Sequence, residues 1–253
     1  MSTCVSLRKN IDITKSENEI LLFTCLLSQE VYDDSHGHNT TFIECSNTDT
    51  QCIIKIVEDI IYIAFRGTSS SKDVLTDLKI YQVPIFDDNR KIKVHFGFNQ
   101  QYRSVHNYIS HFLFTNCNNK KKIVCCGHSL GAGLATICSA HLSTMFSIPV
   151  ECYTFGSPRV GNNAFKEFCN KHIAVMKRIA LHSDPVTYVP INPLYIHVTP
   201  AICYDAGKIL PFKKFPVNRF CRFFNMCKNI DISCDSHKLN SYISAISSHR
   251  NSI

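Results

Sequence analysis

The chain has 253 residues, of which 45% are hydrophobic, enough to bury a substantial core within one domain. Its formal net charge of +7 is spread too evenly to indicate a particular anionic partner. The 14 cysteines include no C-x-x-C pair, the spacing typical of zinc and thiol-redox sites, which argues against a metal centre. We therefore predict a single domain over residues 1–253 with no metal.

The first apolar run, residues 20–27, follows a polar segment that carries Asp12, Glu17 and Glu19. No small-residue cleavage site follows it, so we expect no signal peptide. No run approaches the roughly 20 apolar residues that a membrane-spanning helix requires. These features predict an intracellular, cytoplasmic protein, peripheral to a membrane at most, whose cysteines act mainly as small buried hydrophobic residues.

The first predicted elements are a helix and a β-hairpin. A capping-box pattern at residues 16–19 predicts a helix over 17–31. Two β-rich runs, 52–57 and 60–65, are joined at Glu58-Asp59 and predict a hairpin whose second strand is fully buried.

The rest of the chain alternates between helices and strands. Apolar residues recur at helical spacing from 97 to 114, which predicts an amphipathic helix there; they are Phe98, Tyr102, Val105, Ile109 and Phe112. Further strands are predicted at 123–126, 153–155 and 175–181, and further helices at 130–146 and 239–247. This order is typical of an α/β fold with a mostly parallel central sheet and helices on both faces.

A G-x-S-x-G motif, Gly127-His-Ser-Leu-Gly131, lies between a predicted strand and a predicted helix. A strand that turns directly into a helix strains the serine, and the flanking glycines let neighbouring backbone approach. The helix also directs its N-terminal N–H groups to where an oxyanion would form. The motif alone also fits a chance match in a Gly/Ala-rich loop, but its position favours Ser129 as a nucleophile.

A nucleophilic serine requires a base and an acidic residue that orients the base, in the chain order Ser, Asp, His for this fold. The aspartates downstream are Asp184, Asp205, Asp231 and Asp235. Asp184 is the strongest candidate because it follows a strand and precedes Pro185, which starts a loop at the carboxyl edge of the sheet.

The candidate bases are His182, His197, His237 and His249. His237 lies just before the last predicted helix, where it can reach across the sheet edge. His182 precedes Asp184, so it has the wrong order, and His197 lies on a β-like run where structural histidines are common. His249 lies in a segment expected to fray.

Together these residues resemble the class 3 lipases, the fungal triacylglycerol lipase-like branch of the α/β hydrolases. The similar segments span roughly 52–247 and are, besides the serine motif, 64–68 (AFRGT), 94–98 (VHFGF), 153–161 (YTFGSPRVG), 183–186 (SDPV) with Val189-Pro190, and His237 followed by Tyr242. The resemblance implies an α/β-hydrolase fold with Ser129 as nucleophile, Asp184 as orienting acid and His237 as base. It also implies an oxyanion hole formed by Thr68 and the N–H of Leu130.

The activity implied is hydrolysis of carboxylic esters of lipids, chiefly acylglycerols, through an acyl-enzyme intermediate and without a cofactor. One alternative is a phospholipase A-type acyl hydrolase. Another is a catalytically silent lipase-like scaffold, against which the complete set of three residues argues. The sequence does not indicate the oligomeric state.

The resemblance also places a lid at residues 69–78, just after the Arg-Gly-Thr turn. Its residues include Ser70, Lys72, Asp73, Val74, Leu75 and Asp77. Val74 stands where relatives usually have tryptophan, and a smaller apolar side chain gains less on opening against lipid. Strong interfacial activation is therefore not expected, and the alternative is a solvated loop without a gating role.

Residues 208–228 contain six Lys or Arg, five Phe and no acidic residue. Such a segment can contact an anionic lipid surface, with the rings entering the interface and the charges meeting headgroups. The alternative is a basic surface loop whose phenylalanines pack inward. We expect no nucleic-acid partner, because no known binding module accompanies these residues.

Overall fold

The computed structural model describes residues 17–33, 37, 39–68, 81–205, 208–211 and 235–250. Within these residues, eight strands form one sheet in the order β1-β2-β3-β6-β7-β8-β9-β10, and β4 pairs with β5 in a separate ribbon. The strands are β1 (Thr40–Cys45), β2 (Thr50–Val57), β3 (Ile60–Phe65), β4 (Gln82–Pro84), β5 (Lys93–His95), β6 (Lys122–His128), β7 (Val150–Phe155), β8 (Val175–Leu181), β9 (Ala201–Asp205) and β10 (Lys208–Pro211).

The centre of the sheet is parallel, from β3 through β6, β7 and β8 to β9. Antiparallel pairs complete it at both edges, with β1 and β2 on one side and β10 on the other. Every residue of β3 and β7 is buried, as expected for strands covered on both faces. The predicted mostly parallel α/β sheet is confirmed.

Five α-helices cover the two faces of the sheet in the described part of the chain. They are α1 (Glu17–Glu30), α2 (Phe96–Asn116), α3 (Leu130–Met145), α4 (Asn163–His172) and α5 (Leu239–Arg250). Buried side chains of α2, α3 and α4 form one apolar layer with one face of the sheet, and those of α1 and α5 form a second layer with the opposite face. Helices on both faces, as the α/β-hydrolase fold requires, are therefore confirmed.

The predicted hairpin is confirmed, since β2 and β3 pair antiparallel around Glu58-Asp59. The predicted helices and the strand before the serine are also present, with ends that differ by a few residues. The sequence reasoning missed β1, β4, β5, β9, β10 and α4. Helix α4 was difficult to recognise because only Phe165 and Cys169 are buried, and its start depends on Asn162, whose side chain accepts the N–H of Phe165.

None of the helices in the described segments is both long and apolar enough to cross a bilayer. Of the basic segment 208–228, the structure describes the backbone of β10, which pairs with β9 at the sheet edge, and 212–228 lie outside the described residues. A single domain over 1–253 stays a prediction.

Candidate active site

Ser129 occupies a sharp turn between β6 and α3. Its backbone has φ 58° and ψ −127°, a strained combination for a residue with a side chain. A Cβ at Gly127 would overlap the backbone of Gly131, and a Cβ at Gly131 would overlap the carbonyl oxygen of Phe65. The two glycines are therefore required for close contact between the turn, the start of α3 and the end of β3.

The vicinal cysteines before the turn point into the two opposite apolar layers. Cys125 belongs to the layer of α2, α3 and α4, and Cys126 to the layer of α1 and α5. Both are fully buried, and burial raises the pKa of the Cys126 thiol. They act as core residues, because a strand alternates its side chains between faces and neither thiol lies at the turn.

His237 lies within hydrogen-bond distance of both Ser129 and Asp184. Its Nε2 is 2.8 Å from Ser129 Oγ, and its Nδ1 is 2.8 Å from Asp184 Oδ2. All three side chains are buried. The structure thus brings together the three residues predicted from the sequence, in an arrangement that can move a proton from a hydroxyl to an imidazole held by a carboxylate.

Asp184 follows β8 and caps the short 3₁₀ turn Pro185–Tyr188. Its Oδ1 accepts the backbone N–H of Val186 at 2.9 Å. Its Oδ2 accepts hydrogen bonds from His237 and from the hydroxyl of Tyr242 on α5. Burial, with the nearby Asp184, raises the pKa of Tyr242, so the phenol stays protonated and can donate. These donors hold a fully buried carboxylate in one orientation.

His128 fixes the backbone that carries His237. Its Nε2 lies 2.7 Å from the carbonyl oxygen of His237, which can only accept, so this nitrogen carries the proton. Burial, reinforced by the neighbouring His237, keeps the pKa of His128 well below its ordinary value. His128 is therefore a neutral donor. The sequence reasoning assigned no role to His128 or Tyr242. The only sequence signals were the place of His128 in the serine motif and the place of Tyr242 shortly after His237.

The two predicted oxyanion donors both border the turn at Ser129. Leu130 is the first residue of α3, and the first N–H groups of a helix have no acceptor within it. Thr68 directly follows Gly67, where an added Cβ would lie 3.3 Å from Ser129 Cβ. The structure therefore places both residues beside the nucleophile, and their roles remain a prediction.

Two of the other histidine candidates, His182 and His197, have structural contacts, and the side chain of His249 lies outside the described residues. His197 lies in a loop rather than on the β-like run predicted for it, and its Nε2 is 2.7 Å from the carbonyl oxygen of Thr187. Burial lowers its pKa well below the usual value. His182 Nδ1 lies 3.6 Å from Cys203 Sγ.

The predicted lid lies outside the described residues. This applies to Ser70, Lys72, Asp73, Val74, Leu75 and Asp77, which all fall in 69–80. The lid assignment therefore stays a prediction.

Comparisons with known proteins agree with this geometry. The sequence profile described as Lipase (class 3) matches residues 62–193. A secreted mono- and diacylglycerol lipase 1 of Fusarium solani is 30% identical over 154 residues, covering 59% of this chain and 45% of that protein. Phospholipase A1-Igamma3, chloroplastic, of Arabidopsis thaliana is 28% identical over 173 residues, covering 56% and 33%. The chain thus spans less than half the length of these two relatives.

The fold matches that of a solved mono- and diacylglycerol lipase from Aspergillus oryzae. The TM-score is 0.68 at 22% identity, covering 81% of this chain and 84% of that one. At this identity the likeness shows the fold, and it agrees with the α/β-hydrolase architecture predicted from the sequence.

The predicted intracellular, cytoplasmic location is wrong. The comparison with the secreted Fusarium lipase contradicts it. The prediction depended in part on cysteine usage, and the ten cysteines among the described residues are indeed thiols rather than disulfides. Free cysteines do not identify the compartment, however, because a chain with a large apolar core does not need disulfides to be stable.

Proposed function

The chain belongs to the class 3 lipase family, and from that premise we propose that it hydrolyses carboxylic ester bonds of lipids, chiefly acylglycerols. The observation that carries the proposal is the continuous hydrogen-bonded series from Ser129 through His237 to Asp184, with both distances at 2.8 Å. The names of the relatives, which include acylglycerol lipases, agree with it.

The first half of the proposed reaction forms an acyl-enzyme. His237 Nε2 takes the proton of Ser129 Oγ as the oxygen attacks the ester carbonyl carbon, and Asp184 stabilises the resulting imidazolium. The carbonyl oxygen becomes an oxyanion, which the donors at Thr68 and Leu130 stabilise. Each such donor contributes about 10²-fold or more to the rate. The tetrahedral intermediate then collapses, and His237 passes its proton to the departing alcohol.

The second half releases the fatty acid. Water gives a proton to His237 and attacks the acyl carbon, and the second tetrahedral intermediate breaks to regenerate the Ser129 hydroxyl. The site is suited to both halves because His237 is held from three sides, by Ser129, Asp184 and His128. A base that keeps its position can accept a proton and pass it on in each half of the reaction without reorganisation.

A fluorophosphonate probe with the Ser129→Ala variant tests the proposal. We expect wild-type protein to be labelled at Ser129 and to hydrolyse a soluble ester, and Ser129→Ala to lose about 10⁴-fold or more of kcat. Ser143→Ala, which removes a hydroxyl from the same helix α3, is the matched control and should keep wild-type turnover. Absence of label and turnover in folded wild-type protein would favour the silent scaffold and refute the proposal.

The headgroup of the substrate distinguishes two candidate functions. The Fusarium relative is an acylglycerol lipase and the Arabidopsis relative a phospholipase A1, so both substrates occur among proteins similar to this one. Acid release from mono-, di- and triacylglycerol micelles, measured beside release from phosphatidylcholine, separates them. Faster release from acylglycerols supports the proposed function, and faster release from phospholipid favours the phospholipase A alternative.

Peripheral contact with a lipid surface is a finer proposal for residues 208–228. It is supported by the six basic residues and five phenylalanines of that segment. Cosedimentation with phosphatidylserine vesicles, compared with phosphatidylcholine vesicles, tests it. Equal binding to both would refute an electrostatic contribution.

A further inference from the structure

Tyr32 connects the region after α1 to the turn that carries the predicted oxyanion donor. Its hydroxyl oxygen accepts the backbone N–H of Gly67 at 3.0 Å, a contact between residues 35 positions apart. Its ring faces the guanidinium of Arg66, 5.5 Å from the ring centroid. The ring also packs against the apolar layer of α1 and α5. Tyr32 is therefore anchored in the core at one end and bonded to the Arg66-Gly67-Thr68 turn at the other.

The hydroxyl of Tyr32 lies close to the nucleophile. A Cβ built on Gly67 would be 2.5 Å from Tyr32 Oη and 3.3 Å from Ser129 Cβ. Because both distances are measured from the same Cβ position, the separation between Tyr32 Oη and Ser129 Cβ cannot exceed their sum. The gap between Tyr32 Oη and Ser129 Cβ is too small for a side chain at position 67, so glycine is needed at that position.

The start of the turn is held to Gln51 by both the backbone and the side chain of Arg66. Before Gly67, the N–H of Arg66 bonds to the carbonyl oxygen of Gln51 at 3.0 Å, which continues the pairing of β3 with β2. Gly67 is buried and contributes no side chain to packing. A buried N–H without an acceptor is unfavourable, so the turn would shift to satisfy it if the phenol oxygen were removed. Thr68, the next residue, would move with the turn.

We propose that Tyr32 is a positioning residue for the oxyanion hole: its hydroxyl holds the Gly67 peptide and thereby sets Thr68 against Ser129. The inference rests on the proposed esterase function and assigns to that site a residue outside the Ser-His-Asp set. Burial raises the pKa of Tyr32 to about 12, so the phenol stays neutral through the pH range of an esterase assay. An uncharged acceptor therefore faces the turn throughout catalysis.

Tyr32→Phe tests the proposal because it removes one oxygen and keeps the ring that packs against Arg66 and the core. We expect kcat for a soluble ester to fall about 10-fold, since a small displacement of an oxyanion donor is costly in the transition state. KM should change less than about twofold, because the ground-state ester makes little use of that donor. Labelling by the fluorophosphonate should slow in parallel, because the phosphonyl oxygen also occupies the oxyanion hole.

Tyr108→Phe is the matched control, since Tyr108 is 64% exposed on α2 and should keep wild-type kcat. A kcat of Tyr32→Phe within twofold of wild type overturns the inference. A fall in activity that comes from a raised KM at unchanged kcat also overturns it. Failure of the proposed function looks different, because wild-type protein itself would then show neither turnover nor label at Ser129.

Discussion

Gly156, which follows β7, is required by the geometry around Asp184. Its φ is +61°, a backbone conformation that residues with a Cβ rarely adopt. A Cβ at this position would lie 2.8 Å from Asp184 Oδ2, 3.1 Å from Tyr242 Oη and 3.2 Å from His237 Cε1. The Gly156→Ala substitution therefore places a methyl group against three side chains of the site at once.

The size of the effect follows from these distances. Ordinary van der Waals contact begins near 3.4 Å, so Asp184 Oδ2 must withdraw by the difference between 3.4 and 2.8 Å, and the ring of His237 by a smaller amount. A misplacement of about 1 Å in a catalytic group can cost about 10²-fold in rate. We expect a fall of about 10- to 100-fold in kcat, together with about 1–2 kcal/mol of destabilisation from the left-handed backbone.

Initial rates on a soluble ester and urea unfolding measure the two effects separately. Gly37→Ala is the matched control, because a Cβ there meets nothing within 4 Å and the change should leave kcat unaltered. A Gly156→Ala enzyme that keeps wild-type kcat would refute the reasoning, since the carboxylate and imidazole would then tolerate displacement. Loss of stability without loss of kcat would refute it equally.

Two further substitutions test buried groups. Tyr242→Phe removes the hydroxyl that donates to Asp184 and should lower the free energy of unfolding by about 1.5–3 kcal/mol in urea titrations; unchanged stability would contradict that bond. Burial, aided by Arg103, lowers the pKa of His141 from 6.5 to about 3, so the folded protein binds fewer protons than the unfolded chain between these values. Stability should therefore fall as the pH decreases from 6.5 towards 3, by about 3 kcal/mol at pH 4. His141→Phe should lose less stability between pH 7 and pH 4 than the wild type. His111→Phe, at an exposed position, is the control and should behave like the wild type. Equal losses in all three proteins would contradict the assignment of this pH dependence to His141.

The catalytic residues were recognisable from the sequence because each lies in a local pattern. Ser129 has its glycines and the change from strand to helix, and Asp184 has the end of a strand and a proline. The residues that hold them have no such pattern. The bonds of Tyr32 to Gly67, of Tyr242 to Asp184 and of His128 to His237 join positions 35, 58 and 109 residues apart. Contacts of this range appear only once the topology is known.

The fold could be predicted at its centre and less well at its edges. The central strands are long apolar runs covered on both faces, a pattern that stands out in a sequence. At the edges, β1 alternates exposed and buried positions weakly, and β9 and β10 are short. Such strands depend on pairing with a neighbour more than on their own composition.

The hydrogen bonds of His237 also determine the stage of folding at which the protein becomes catalytically active. Its partners Asp184 and Ser129 are 53 and 108 residues away in the chain, at the ends of β8 and β6. Closing loops of that length costs chain entropy. Formation of the central sheet must offset this cost before the three side chains can come together. Recovered ester turnover is for this reason a reporter of completed folding, whereas the helical circular dichroism signal can return while the enzyme is still inactive.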